Sequence, residues 1–377
     1  MDTPLLIVSP DDLPPALAAS VSAEERVFIQ KLKTAWQKPE SRSTMAEFNG
    51  LPFAVTSHFA SLAGPEHNDP IRRQFMPDPR EELEDSLALD DPLGEVHFRI
   101  TPRLVHQYRD RVLLLAGGSC AGFCRYCFRR IRMSSPAGFI SAEELSPVLA
   151  YLESKSGIRE ILISGGDPLT AEDAALEELF CKLRKARPGI LIRLCTRVPV
   201  TNPARLKEET IALFTRYRPL RIVTHINHPR ELAPVTSRAL TALVEAGIPV
   251  HVQTVLLSGI NDNAETLEEL FAKCLAIGIS PYYLFQLDLA PGTAHFRVPL
   301  RKGLSIYRDL ELRVGGLGLP AYAVDLPGGG GKIRLHEGVI AGEKSGDVTG
   351  GGPGGKKSSK VFLLRGLDGK LWRYPAD

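Results

Sequence analysis

From about residue 111 onward, short apolar runs alternate with amphipathic stretches of helical period. The runs at 112–116, 160–164, 190–195, 221–225, 249–255, 282–286 and 321–324 predict strands. The stretches at 141–154, 171–187, 204–216, 234–246, 264–277 and 304–315 predict the helices between them. Repeated strand–helix units predict an α/β fold on a parallel sheet, open or closed as a barrel, with ligands at the carboxyl ends of the strands. Upstream, Ser22-Ala-Glu-Glu25 forms a capping box that opens an amphipathic helix toward Trp36. Pro70, Pro77, Pro79 and Pro92 break the segment that follows. Past Lys332 the chain turns polar and Gly-rich, and 346–360 reads as a flexible segment. Two apolar runs at 361–366 and 370–374, joined by Asp368-Gly369, then predict a hairpin. The organisation expected is a helical N-terminal region (1–105), an α/β core (106–332) and a C-terminal tail (333–377).

Composition changes this picture little. Of 377 residues, 44% are hydrophobic and 24% charged, with a net charge of +2, which gives no reason to invoke nucleic acid or a membrane surface. No apolar run approaches the roughly 20 residues that span a bilayer. The first fifteen residues lack the basic start and apolar stretch of a signal peptide. The expected compartment is cytoplasmic. Cysteine usage is more pointed. Three of the six cysteines fall within eight residues, a spacing that suggests metal binding in a reducing compartment. Cys181, Cys195 and Cys274 are scattered in apolar surroundings and read as buried structural residues.

The cluster is Cys120, Cys124 and Cys127, on a loop directly after a predicted strand. Three thiolates can cap three corners of a cubic iron–sulfur cluster, which more commonly takes four cysteines. No fourth cysteine is near in sequence, so one iron stays open to a small molecule. Zinc asks for four ligands, and the nearest histidine, His106, lies well upstream. The Cys-x3-Cys-x2-Cys spacing, with Tyr126 before the last cysteine, resembles the signature of radical S-adenosylmethionine enzymes. The next strand ends in Ser164, Gly165, Gly166 and Asp167, whose glycines permit close backbone approach to a ligand. His225 and Gln253 lie at or near the ends of later strands.

A second motif follows the last predicted strand. Asp325-Leu-Pro-Gly328-Gly-Gly-Gly331-Lys332 places a lysine behind four glycines. Ordering four glycines is costly, which a structure accepts where the backbone must bend sharply or pass close to a ligand. A lysine there can condense with an aldehyde cofactor, pyridoxal phosphate. Arg111 and Tyr108 are candidates to hold its phosphate.

With these residues placed, the sequence resembles the lysine 2,3-aminomutase family over nearly its whole length. The matching segments include Asp69-Pro-x3-Gln-Phe75, Asp91-Pro-Leu-x-Glu95, the cysteine loop with Arg129-Arg130, and Ser164 to Leu169. They continue through Thr224-His-x-Asn-His-Pro229, Gln253-Thr-Val-Leu-Leu257, Gly259-x-Asn-Asp262, Pro281-Tyr-Tyr283, His295-Phe296, Asp325 to Lys332 and Arg373-Tyr-Pro375. The resemblance implies a partial (β/α)6-type radical SAM barrel. It implies a [4Fe-4S] cluster on the three cysteines, S-adenosylmethionine on Tyr126, Ser164, Gly165, Gly166, Asp167, His225 and Gln253, and pyridoxal phosphate on Lys332, Arg111 and Tyr108. It implies migration of the α-amino group of L-lysine to the β-carbon, giving β-lysine, with Lys332 as the catalytic residue. Arg129 then binds the substrate carboxylate, while Asp288 and Asp325 bind the side-chain ammonium. A flavodoxin or ferredoxin is the implied electron donor, and a homo-oligomer is open.

Two positions depart from the family. Gln107 stands where a second phosphate-binding arginine is expected. Asn263 stands where a zinc-binding cysteine is expected, and no cysteine follows Cys274, so no structural zinc is expected. Two alternative readings within the chemistry are the β-lysine-forming enzyme of elongation factor P modification and an aminomutase acting on another amino acid. From a different class comes a non-catalytic iron–sulfur protein, which has no use for Lys332, Asp288, Asp325 and Arg129.

Overall fold

The computed structural model describes residues 6–37, 51–130, 138–345 and 360–376. A ten-stranded sheet organises the chain. Before it, β1 (Leu6–Ile7) and β2 (Val55–Thr56) form a small antiparallel pair. The large sheet then runs, in chain order, through β3 (Arg99–Thr101), β4 (Leu104–Tyr108), β5 (Arg111–Gly117), β6 (Glu160–Gly165), β7 (Leu191–Cys195), β8 (Leu220–His225), β9 (Val250–Leu256), β10 (Ser280–Gln286), β11 (Ala321–Leu326) and β12 (Gly331–Arg334). Neighbours in sequence are neighbours in the sheet. Strands β5 to β11 are parallel, so the strand–helix repeat that the pattern predicted is present as six units and a closing strand, in keeping with the partial barrel that the resemblance implied.

Residue parity sorts the strands into two faces. Ile161, Ile163, Ile192, Leu194, Val250 and Val252 are buried on the side of the crossover helices. The opposite positions carry polar groups, among them Glu160, Arg193, His225 and Gln253. A packed interior has no need of these; a ligand-binding lumen does.

Three local differences from the sequence pattern have physical causes. The N-terminal region does hold the helix Ala23–Gln37, whose capping box forms through Ser22 and Glu25. Its end also begins an extension of the sheet that was not anticipated: β3 pairs antiparallel with β4, and β4, which runs past the expected boundary at 105, pairs antiparallel with β5. The helix expected from residue 204 begins at Glu208 instead. Arg205 is held away from it by bonds to Leu169 O, Ala171 O and Asp173, which fix a separate 3-10 turn. The last helix begins at Leu300, directly after Pro299, and Gly303 inside it leaves room for the Tyr322 hydroxyl.

The tail forms a three-stranded antiparallel sheet: β13 (Ile340–Ser345), β14 (Lys360–Arg365) and β15 (Leu371–Pro375). The anticipated hairpin is β14–β15, with Gly369 at φ 78° in its turn. The segment expected to be flexible lies outside the described residues, apart from Lys360. Among the described residues no helix is long and apolar enough to cross a membrane.

Candidate active site

The cysteine loop leaves the carboxyl end of β5 and is braced from both sides. The N-terminal region supplies one brace: Phe123 N donates to Ala54 O at 2.9 Å, and Arg125 N donates to Gln74 O at 2.9 Å. The Arg125 guanidinium is fully buried and grips Glu81 through Nε at 2.8 Å and Nη2 at 2.5 Å. Arg130 joins the same Glu81 at 2.5 Å. Burial works to raise the Glu81 pKa, but Arg125 and Arg130 prevail and hold it below the usual range.

The turn after β6 supplies the other brace. Gly166 N donates to Gly117 O, and Asp167 N to Ser119 O, each at 2.7 Å. A Cβ on Gly165 would overlap Gly117 O, and one on Gly166 would overlap Ser119 O. The close approach these glycines allow is therefore to the cysteine loop itself. The Asp167 carboxylate accepts from Leu169 N, Thr196 Oγ1, Arg197 N and Val198 N. Its side chain thus organises two loops at the barrel mouth.

Cys120, Cys124 and Cys127 lie within electrostatic reach of one another. Burial, then the charge of Asp167 and after it the neighbouring thiols, push the Cys120 thiol well up; burial and Cys124 push the Cys127 thiol to about 11. A cluster of positive irons is the counter-charge that lets such thiols ionise. Among the described residues no three histidine, cysteine or carboxylate groups surround a single-ion site. A cubane differs from such a site, since each cysteine caps a separate iron. The Tyr126 hydroxyl is buried beside Cys124 without an oxygen or nitrogen partner among the described residues. A soft three-thiol donor set with an orphaned hydroxyl beside it suits a cluster and its small-molecule ligand. His225 pairs in register with Gln253 across β8 and β9. Burial, Arg197 and Lys332 lower its pKa to about 4 against a hydrogen bond with Gln253, so it is neutral at ordinary pH.

Lys332 stands on β12, opposite Asp325 in the antiparallel register, and its Nζ is paired with Asp325 Oδ2. The four glycines turn the chain sharply, with φ 73°, 94° and 79° at Gly328, Gly329 and Gly331. They also pass close to protein: a Cβ on Gly330 would lie 2.6 Å from Leu326 Cβ and 2.8 Å from the Trp372 ring. Tyr108 OH accepts from Lys332 N at 3.0 Å, and Gln107 donates to Gly329 O at 3.3 Å, so β4 and β12 meet across the barrel gap. A cavity of about 1000 Å³ opens here, lined by Lys332, Tyr108, Arg111, Tyr283, Arg334 and others. Arg111 lies 3.9 Å over the Tyr108 ring, with Asp110 at 3.0 Å. A lysine, aromatic rings and guanidinium groups in one cavity of that size fit a phosphorylated aldehyde.

Asp288 completes the centre. Burial, and then the charge of Asp325, push its carboxyl up to about 8, while Lys332 and Arg129 pull the other way. The sequence-assigned group of Asp288, Asp325, Lys332 and Arg129 is thus gathered in one electrostatic site. The Arg129 guanidinium is engaged by Glu95, at 2.9 and 2.6 Å.

Residues 114–271 match the model of the Radical SAM superfamily. The L-lysine 2,3-aminomutase of Clostridium subterminale is 36% identical over 338 residues, covering 89% of this chain and 78% of that one. A Treponema pallidum protein given the same name provisionally is 44% identical over 319 residues, 85% of this chain and 87% of its own. The chain belongs to the lysine 2,3-aminomutase family. It is a radical S-adenosylmethionine enzyme and an isomerase by kinship. A glutamate 2,3-aminomutase of Clostridioides difficile is also related, at 34% identity over 284 residues, 75% of this chain and 67% of that one. Within this aminomutase family, then, the pocket and not membership bears on the substrate.

Sequence reasoning missed Arg197, Gln74, Glu81 and Glu95 as parts of the site. Gln74 and Glu95 sit inside segments already matched to the family, but no spacing rule gave them a role. Arg197 had no signal beyond its place just past a strand end.

Proposed function

We propose that this aminomutase moves the α-amino group of L-lysine to the β-carbon, giving β-lysine. The observation that carries the reading is the pairing of two carboxylates, Asp288 and Asp325, in one site with Lys332 and Arg129. Two acidic side chains in one pocket, with the raised proton of Asp288 released more readily beside a cation, favour a cationic side chain and repel an acidic one. When bound, the cluster with S-adenosylmethionine supplies a hydrogen-abstracting radical, and pyridoxal phosphate supplies the aldehyde and π-system that carry the amino group.

The chain's own residues bind and orient. Glu95 accepts from both Nη groups of Arg129 and fixes the guanidinium plane in advance, leaving its other N–H groups to hold an α-carboxylate. Lys332 anchors the aldehyde cofactor, and Tyr108 fixes the backbone beneath it. Asp288 and Asp325 receive the ε-ammonium. Tyr283 and Phe285 flank the Lys332 ammonium at 5.5 and 3.9 Å and limit water there. A flavodoxin or ferredoxin supplies the electron.

The test is an anaerobic incubation of reconstituted protein with S-adenosylmethionine, pyridoxal phosphate, a reductant and either L-lysine or L-glutamate. β-Lysine is expected from the first and no product from the second. Turnover of glutamate, with lysine untouched, would remove the two-carboxylate argument.

A further inference from the structure

Arg197 is a buried guanidinium, 9% exposed, that the proposed chemistry does not use. Its backbone is fixed by Asp167, which accepts from Arg197 N at 2.6 Å and itself donates from its backbone to Ser119 O, one residue before Cys120. Its side chain is fixed by Gln74 Oε1 at 2.5 Å and Glu231 Oε2 at 2.9 Å, both on Nη2. Phe59 and Tyr126 lie 4.8 and 5.5 Å from the guanidinium carbon. So held, Arg197 places Nη1 2.9 Å from Cys124 Sγ.

Glu231 is no loose counter-ion that could draw the guanidinium away. It is fully buried, and its Oε1 is occupied by Gln74 Nε2, Asn227 N and His228 N. The middle cysteine of the loop is thus met by a rigid cationic donor assembled from three distant segments. Hydrogen bonds to cluster sulfurs are one of the levers by which a protein sets the reduction potential. A donor draws electron density from the thiolate and favours the reduced, more negative cluster.

We infer that Arg197 is a positioning residue for the iron–sulfur cluster, donating from Nη1 to the Cys124 sulfur and raising the reduction potential of the cluster. The inference rests on the cluster-binding reading of the cysteine loop.

The test compares anaerobically reconstituted wild type with Arg197→Met and Arg197→Lys. Iron and sulfide content is measured first, and the midpoint potential is then read by an EPR-monitored redox titration. With full cluster content, Arg197→Met is expected to have a more negative midpoint, by about tenfold in the reduction equilibrium, or about 59 mV for one electron. Arg197→Lys is expected to lie between. If Arg197→Met does not fold, the double variant Arg197→Met/Glu231→Gln removes the stranded buried charge and takes its place in the titration. A separate reading uses the wild-type protein labelled with 15N-arginine: pulsed EPR of the reduced cluster should detect a weakly coupled arginine nitrogen. A wild type that takes up cluster but shows neither that coupling nor a variant shift overturns the inference alone. A wild type that takes up no cluster overturns the reading beneath it as well.

Discussion

Asp288 carries its proton to about pH 8, and that sets a test at the scale of one residue. Its raised pKa means that the carboxylate appears only as pH rises through that value, while a lysine ε-ammonium, with a pKa near about 10.4, stays charged. Lysine binding is therefore expected to strengthen from pH 6.5 toward 8.5 and then level, up to about tenfold per pH unit on the rising limb. Isothermal titration or the KM across that range reads it, and Asp288→Asn should flatten the profile. Lys332→Ala should abolish the visible absorbance of a lysine-bound aldehyde cofactor; a variant that kept the band would remove the cofactor assignment. Residues of this kind were legible in the sequence because their chemistry is compressed into short motifs: three cysteines in one loop, a lysine behind four glycines. Arg197 was not, because its meaning depends on Cys124, Gln74 and Glu231, and Gln74 is 123 positions away. No local pattern encodes such a meeting.

At the scale of elements, the parallel strands were read to within two residues at each end and two helix starts missed by four, since each parallel strand must bury one apolar face against its helix. What periodicity could not show was which glycines serve a ligand and which serve packing. Gly166 serves the cysteine loop, so Gly166→Ala should displace Ser119 and lower both the iron bound per chain after reconstitution and the melting temperature, the latter by an amount equivalent to about 1–3 kcal/mol. Strand β12 offers a second test. Lys332 and Arg334 are two residues apart on one strand, so they share a face about 7 Å apart, opposite the buried Ile333. Both line the cavity. Pyridoxal phosphate carries its aldehyde and its phosphate arm on adjacent ring carbons, which suits that spacing. Arg334→Ala is expected to weaken binding of pyridoxal phosphate by about tenfold while leaving pyridoxal, which lacks the phosphate, unchanged. Equal effects on the two ligands in an absorbance titration would show that Arg334 has no part in the grip.

For the whole molecule, the N-terminal region acts as scaffold for the centre. Arg125 ties it to the cysteine loop through buried bonds to Glu81 and Leu51 O and a part-buried one to Pro52 O. Arg125→Met leaves Glu81 with one partner fewer and should cost about 3–5 kcal/mol of stability, read as a lower midpoint in denaturant. The antiparallel strands β3 and β4, at the junction of that region with the core, were illegible as strands because their short, mixed-polarity runs have no alternation long enough to stand out. They take shape only on the edge that β5 presents.

That the sheet follows chain order strictly, and that its two ends meet through Gln107 with Gly329 and Tyr108 with Lys332, has a consequence for how the protein comes into being. These contacts span 222 and 224 positions, so the Lys332 cavity cannot exist until the full sheet is wound. The braces of the cysteine loop all come from residues up to Glu231 and are synthesised well before that lysine. Contacts close in sequence form ahead of distant ones, and chains fold from the N-terminus as they emerge. Folding therefore has a built-in order: the braces of the cysteine loop can form on a growing chain, and the Lys332 cavity only once translation has delivered the last strands.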